Sequence, residues 1–197
     1  MARQFAIGLA IGLLVACGGP PEPTEPVQTP PDETLVELPT RREPPALTET
    51  ADATRSELLA LAKAGRLRAF ARRADAAPGF VSNFADTGHY QHWLLLRQTG
   101  VDPLDKFETL LAEPHAAKDV GGETWFIWPD LAAFAAEDLL PERLGFEDRA
   151  RLSRLLGEEG VAEIRQGRAY PGFRTAISAD GRWVYYLHEL GQEEDQE

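Results

Sequence analysis

An abrupt change in proline content limits where this chain can form a compact core. Nine of its fifteen prolines lie within residues 18–50, among Glu and Thr and with almost no aromatic or large apolar side chains. Such a segment buries too little apolar surface to offset the entropy cost of ordering it, and its prolines favour the extended polyproline II conformation. We therefore expect residues 17–50 to form a disordered tether and residues 51–191 to form a single globular domain.

The first sixteen residues have the pattern of an export signal. Arg3 is their only charged residue, and an apolar run follows from Phe5 to Ala16. Twelve residues span about 18 Å as a helix, which is too short for a bilayer core of roughly 30 Å. A positive start followed by a short apolar run predicts a cleaved signal peptide over residues 1–16 rather than a transmembrane helix.

The residues around the end of this run are Leu14-Val15-Ala16-Cys17-Gly18. They resemble the lipobox of bacterial lipoproteins, and the resemblance implies cleavage before Cys17 and attachment of acyl chains such as palmitate to that cysteine. Gly18, where inner-membrane lipoproteins of Gram-negative bacteria carry Asp, implies an outer-membrane anchor with the domain facing the periplasm. Three acyl chains would make the anchor effectively permanent. The alternative is an ordinary secretory signal with an incidental cysteine.

Cysteine content and charge exclude several classes of function. Cys17 is the only cysteine, so the predicted domain has no disulfide and no cysteine-based metal site or nucleophile. The formal net charge is −12, and loss of Arg3 with the signal changes it to −13. Such a surface repels phosphate backbones, which argues against a nucleic-acid partner. Residues 192–197 are predicted to form a solvated acidic tail.

Helices are predicted to dominate the first half of the domain. Thr54-Arg55-Ser56-Glu57 has the spacing of a capping box, which predicts a helix from there to about Gly65. A short basic helix follows over residues 66–73, and another helix over residues 89–98. Asp102 before Pro103 predicts the N-terminus of a further helix.

Strands are predicted in the second half. Gly121-Gly122 separates two extended runs, and Asp180-Gly181 separates two more, as expected for two hairpins. Residues 124–128 are mostly apolar without alternation, which predicts a strand covered on both faces or one whose second face holds a ligand. The predicted class is α+β, with a helix-rich N-terminal half packed on a small antiparallel sheet built from the C-terminal hairpins.

No motif in the sequence predicts a catalytic residue, a cofactor or a metal. The serines lack the spacing of a nucleophile elbow, and no glycine-rich phosphate loop is present. His89 and His92 are three residues apart with Asp86 just before them, a spacing that could hold a metal. The neighbouring Tyr90 and Trp93 favour a structural role for both histidines instead.

The last hairpin carries the residues predicted to bind a ligand. A three-residue loop over residues 179–181 would pair Ile177 with Trp183, with Gly181 in the left-handed conformation. It would also pair Thr175 with Tyr185, and Phe173 with Leu187. One face would then be core, and the other would present a cationic and aromatic strip to an anionic or polar ligand. Besides Ser178, the strip contains the four predicted ligand-binding residues, Arg174, Arg182, Tyr186 and His188. The alternative is a plain solvent-facing side.

Three segments of the domain, residues 128–133, 170–174 and 180–183, resemble Gram-negative envelope proteins to which no activity is assigned. This resemblance agrees with an envelope location and implies no mechanism. We expect a non-enzymatic module that binds a protein or a cell-wall component of the envelope. The alternatives are a glycan-directed hydrolase that uses carboxylates and a small-ligand-binding α+β domain. The sequence makes no prediction of oligomeric state.

Overall fold

A computed structural model of the protein describes residues 43–83 and 88–189. The predicted signal, Cys17, most of the predicted tether, Asp86 and the acidic tail lie outside these residues. The described helices are α1 Glu49–Lys63, α2 Leu67–Asp75, α3 His89–Gln98, α4 Pro103–Leu111 and α5 Phe146–Arg165, with a 3₁₀ turn at Asp130–Ala133. The described strands are β1 Val81–Ser82, β2 Ala116–Val120, β3 Glu123–Trp128, β4 Arg174–Ser178 and β5 Trp183–Leu187.

The five described strands form one sheet in the order β1-β5-β4-β3-β2. The two predicted hairpins, β2–β3 and β4–β5, are antiparallel and are joined through an antiparallel β3–β4 pair. β1 adds a short parallel edge beside β5. The α+β class is therefore confirmed, and the sheet is mixed because of this one parallel strand.

The main core lies between the sheet and helices α1 to α4. We call the face of the sheet that contacts these helices the front face and the opposite one the back face. Phe70 of α2 lies at the centre of this core, with its ring 5.1 Å from Trp93, 4.9 Å from Phe107 and 4.9 Å from Trp183, measured between centroids. Edge contacts of this kind stabilise a core beyond the apolar area that they bury.

A second core forms around α5. Leu152, Leu156 and Ile164 of this helix pack against Leu131 and Leu139 from the chain after β3. Gly157 interrupts the helix with φ 67° and ψ −172°, a positive φ that glycine adopts more readily than other residues. None of the described helices combines the length and the hydropathy needed to span a bilayer.

The predicted start of α1 is wrong. Thr54 lies inside the helix, and the N-cap is Thr48, whose side chain accepts a hydrogen bond from the backbone N–H of Ala51. The Thr54 hydroxyl instead donates to the carbonyl of Gly181, 2.7 Å away. The predicted α4 cap is confirmed, because the Asp102 carboxylate accepts from the backbone N–H of Leu104 at 2.9 Å.

The predicted register of the last hairpin is correct only next to the turn. Ile177 pairs with Trp183, and Gly181 has φ 89°, both as predicted. Beyond this pair, Val184 is an extra residue, so Ala176 pairs with Tyr185 and Thr175 with Tyr186. The predicted pairing of Thr175 with Tyr185 is wrong because this β-bulge shifts the rest of the strand by one residue.

A buried side chain satisfies the polar groups at the bulge. The Thr175 hydroxyl donates to the carbonyl of Tyr185 at 2.6 Å and accepts from the Trp183 indole N–H at 2.9 Å. A bulge leaves backbone groups outside the ladder, so this hydroxyl replaces a missing strand partner. The bulge also places Trp183 and Tyr186 in the front core, and Val184 and Tyr185 in the small apolar cluster on the back face.

Candidate functional site

A cationic groove between α2 and α3 is the most distinctive surface feature of the described residues. It is an open, shallow depression with a volume of about 450 Å³. Its α3 side consists of Tyr90, Leu94 and Arg97, which share one helix face. Its other side consists of Gly65, Arg66, Leu67, Arg68, Ala69 and Arg72, which run from the α1–α2 turn along α2. We refer to it as the arginine groove.

The amphipathic pattern of α2 explains why its arginines face the groove. Leu67, Phe70, Ala71 and Ala74 are buried in the main core. Because side chains three and four positions apart share a helix face, burial of these residues directs the basic ones to solvent. Arg66, Arg68 and Arg72 are accordingly exposed.

Three of the groove arginines have no carboxylate partner among the described residues, where no ion pair is formed by Arg66, Arg68 or Arg72. The adjacent Arg73 differs, since its Nε lies 3.2 Å from the Glu57 carboxylate. Arg68 and Arg72 are one helical turn apart, a spacing at which like charges repel each other. An anion bound between them would relieve this repulsion, and guanidinium groups match phosphate and carboxylate oxygens well.

The α3 wall of the groove consists of an arginine that is paired with a carboxylate and of an aromatic ring. The Asp102 carboxylate binds Arg97 twice, at 2.8 Å from Nε and 3.1 Å from Nη2. Burial acts to raise the pKa of Asp102, but its hydrogen bonds from Arg97 and from the backbone of Leu104 outweigh burial and lower it. The Arg68 guanidinium lies 4.9 Å from the centre of the Tyr90 ring, a cation–π contact across the groove. These contacts hold the α3 wall in place, whereas Arg66, Arg68 and Arg72 have no carboxylate partner among the described residues.

The four residues predicted to form a ligand-binding strip do not lie on one face. Tyr186 is in the front core, and its hydroxyl donates to the carbonyl of Pro103 at 2.7 Å. Burial raises the pKa of this hydroxyl well above its ordinary value. The His188 ring stacks on Phe173, with centroids 4.5 Å apart. Burial lowers the pKa of His188, and the nearby charge of Arg174 adds to this effect. The bulge at Val184 is what separates Tyr186 and His188 from the predicted strip.

Arg174 and Arg182 are both partly accessible but already paired. Arg174 forms an ion pair with Glu189 and donates to the carbonyl of Tyr170 at 2.8 Å. Arg182 lies 2.6 Å from a carboxylate oxygen of Glu123. Because each guanidinium has an acidic partner, neither offers the uncompensated charge that an anion requires. A ligand-binding role for these two arginines stays a prediction.

A nearly buried ionic network joins α5 to the end of α4 and to the chain after β3. The Arg151 guanidinium contacts Glu113 at 3.1 Å, Asp130 at 2.6 Å and Asp148 at 2.7 Å. Arg154 binds the second oxygen of Glu113 at 2.7 Å. The interactions with these carboxylates raise the pKa of Arg151 despite its burial. The network gives no support to a carboxylate hydrolase, because every acid in it is held by arginine.

The histidines on α3 are held in a packed environment. His89 Nδ1 lies 2.5 Å from the Asp75 carboxylate, and His92 is 6% exposed. The ring of His92 lies nearly parallel to the ring of His188, with 6.5 Å between their centroids. No group of three metal-ligating side chains occurs among the residues that the structure describes.

The arginine groove was not predicted as a site, although the sequence contains a signal for it. Four arginines fall within residues 66–73 of a chain whose net charge is −12. A local reversal of charge of this size marks an anion-binding candidate. The wall formed by α3 could not be predicted, because it depends on how two helices pack.

Comparison of the chain with protein families, with curated proteins and with solved structures gives no match.

Proposed function

We propose that this chain is a lipid-anchored envelope lipoprotein whose domain is a non-enzymatic module that binds an anionic envelope component in the arginine groove. The anchoring half of the proposal is supported by the lipobox-like residues before Cys17 and by the short apolar run that precedes them. The Gly at position 18 favours the outer membrane, with the domain in the periplasm.

The binding half rests on one observation, the three groove arginines without a described carboxylate partner. In a strongly acidic chain, three arginines that have no described carboxylate partner and line an open groove of about 450 Å³ favour a phosphate- or carboxylate-bearing ligand. Arginines at this density also raise the local concentration of anions and speed their association.

A fractionation experiment tests the anchor. Cys17→Ala removes the only acylation site, so the variant is expected to leave the membrane fraction or to accumulate unprocessed. Processed variant protein that still sediments with membranes would contradict the anchoring proposal.

A crosslinked pulldown of the full-length protein from its native envelope tests the binding half. We expect the wild type to capture a phosphate- or carboxylate-rich component that Arg68→Gln/Arg72→Gln loses. The matched control is Arg143→Gln/Arg165→Gln, which removes the same charge from exposed arginines paired with Asp138 and Glu142. Equal capture by both double variants would contradict a role for the groove.

A further inference from the structure

We propose that the back face of the sheet carries a second binding surface, specific for carbohydrate, in which Trp125 and Tyr185 are the stacking residues. This site is separate from the arginine groove and does not depend on the function proposed for it. We call it the aromatic shelf, defined by Trp125 and Tyr185 with the adjacent Glu123 and Arg182.

The two rings lie close together although their strands are not neighbours. Trp125 is on β3 and Tyr185 on β5, with β4 between them, yet their ring centroids are 6.2 Å apart at an angle of 66°. The approach depends on small residues of β4, since Trp125 pairs with Ser178 and Tyr185 with Ala176. Both small residues are fully buried beneath the rings, while the two aromatic side chains stay partly exposed.

The bulge at Val184 creates this arrangement. Without the extra residue, alternation along β5 would place Tyr185 on the same face as Trp183, in the front core. With it, Val184 and Tyr185 both belong to the back-face cluster. Bulges commonly re-aim a side chain at a binding site, and this one directs a tyrosine ring toward a tryptophan.

The polar groups beside the rings are oriented and mutually neutralised. The Trp125 indole N–H donates to Glu123 at 2.8 Å, and Arg182 Nη2 donates to the same carboxylate oxygen at 2.6 Å. The hydrogen bond from Trp125, and to a smaller extent that from Arg182, lowers the pKa of Glu123 and keeps its carboxylate ionised. The pair retains guanidinium N–H donors and a second carboxylate oxygen for further hydrogen bonds.

This combination of groups favours a sugar over an anion. A saccharide has apolar C–H faces that stack on aromatic rings and hydroxyls that both donate and accept hydrogen bonds. The shelf offers two rings and an adjacent donor–acceptor pair. Its arginine is compensated by Glu123, whereas Arg66, Arg68 and Arg72 of the groove have no carboxylate partner among the described residues. The two surfaces therefore differ in the ligand class that each can bind.

Isothermal titration of the full-length protein in detergent tests this proposal. The probes are two tetrasaccharides, one of β-1,4-linked N-acetylglucosamine and one of β-1,4-linked glucose. We expect at least one to bind, and Trp125→Ala and Tyr185→Ala each to weaken it at least about tenfold. Trp125→Phe keeps an aromatic ring and controls for misfolding of the Trp125→Ala variant. We expect it to lose less affinity than Trp125→Ala.

The matched control is Phe146→Ala, which removes an aromatic ring that is 84% exposed on α5 and does not belong to the back-face cluster, and is expected to leave the affinity unchanged. Failure of the wild type to bind either sugar would overturn the proposal. Equal affinity of the wild type and Trp125→Ala would also overturn it. So would binding abolished by Arg68→Gln/Arg72→Gln, since the sugar would then occupy the arginine groove.

Discussion

The hydroxyl of Thr54 donates a hydrogen bond to the carbonyl of Gly181, 2.7 Å away, and so ties the first helix to the turn of the last hairpin. Thr48 and Thr50 reinforce this contact, because both of their hydroxyls donate to the carbonyl of Ala179, at 2.6 and 2.7 Å. A Cβ at Gly181 would lie 2.9 Å from the carbonyl oxygen of Thr50, so the turn requires glycine for close approach as well as for its φ of 89°. Residues separated by more than half of the chain thus share one set of hydrogen bonds.

Thr54→Val tests this connection. Thr54 is 7% exposed, and valine keeps its shape while removing the hydroxyl, which leaves the Gly181 carbonyl without that donor. We expect the free energy of unfolding, measured with urea, to fall by about 1–2 kcal/mol. The control is Thr109→Val, since the Thr109 hydroxyl is exposed and only bonds back to the Asp105 carbonyl of its own helix. Equal losses in the two variants would show that the link to the turn contributes nothing specific.

The Arg151 network predicts a larger effect. The Arg151 side chain is 12% exposed and the Glu113 side chain 9%. Arg151→Met would leave three partly buried carboxylates without their shared cation, and we expect a loss of about 3–5 kcal/mol of stability. Arg154→Met is the matched control, because Arg154 binds the same Glu113 but its side chain is 55% exposed. Its loss is expected to stay below about 1 kcal/mol. A similar small loss in both variants would contradict a structural role for the network.

His92 predicts a dependence of stability on pH. Burial, together with smaller effects of the charges of His188 and His89, lowers its pKa to about 4 in the folded protein. Well above pH 6.5 the ring is neutral in both the folded and the unfolded state and adds no pH dependence. As the pH falls from 6.5 toward 4, the unfolded chain takes up a proton that the folded protein does not bind, so the folded state is destabilised.

Urea denaturation at pH 7 and pH 5 measures this effect. From the pKa difference, we expect His92 to account for about 2 kcal/mol of the stability lost between the two pH values. His92→Gln does not titrate and should lose correspondingly less. His188, whose pKa burial also lowers, remains in this variant and should retain a smaller dependence of the same sign. An identical loss in the wild type and His92→Gln would contradict the assignment.

Local patterns predicted much of this fold. The bounds of α3, the Asp102 cap of α4 and the glycine turns of both hairpins depend on residues next to each other in sequence, and the structure has them as predicted. The start of α1 did not follow from local pattern. Thr48 and Thr54 both have cap chemistry, and both hydroxyls donate to carbonyls of the distant hairpin turn, but only Thr48 also caps the helix.

The site was harder to predict than the fold for the same physical reason. Thr175 bonds to Trp183 and Tyr185 at the bulge around Val184, and the bulge exchanges the faces on which Tyr185 and Tyr186 lie. Pairing the strands by apolar residues alone does not take account of the buried Thr175 hydroxyl. The groove likewise depends on the packing of Tyr90 and Leu94 beside the α2 arginines, which no local pattern specifies.

Titration of the full-length protein with inorganic tripolyphosphate tests the anion-binding claim most directly. At low ionic strength we expect saturable binding by the wild type. Arg68→Gln/Arg72→Gln should weaken it at least about tenfold, and Arg143→Gln/Arg165→Gln should leave it within about twofold. Added salt should weaken the wild-type affinity, because the groove arginines are exposed. A wild-type protein that binds no tripolyphosphate, or one whose affinity is the same in both double variants, would contradict the account.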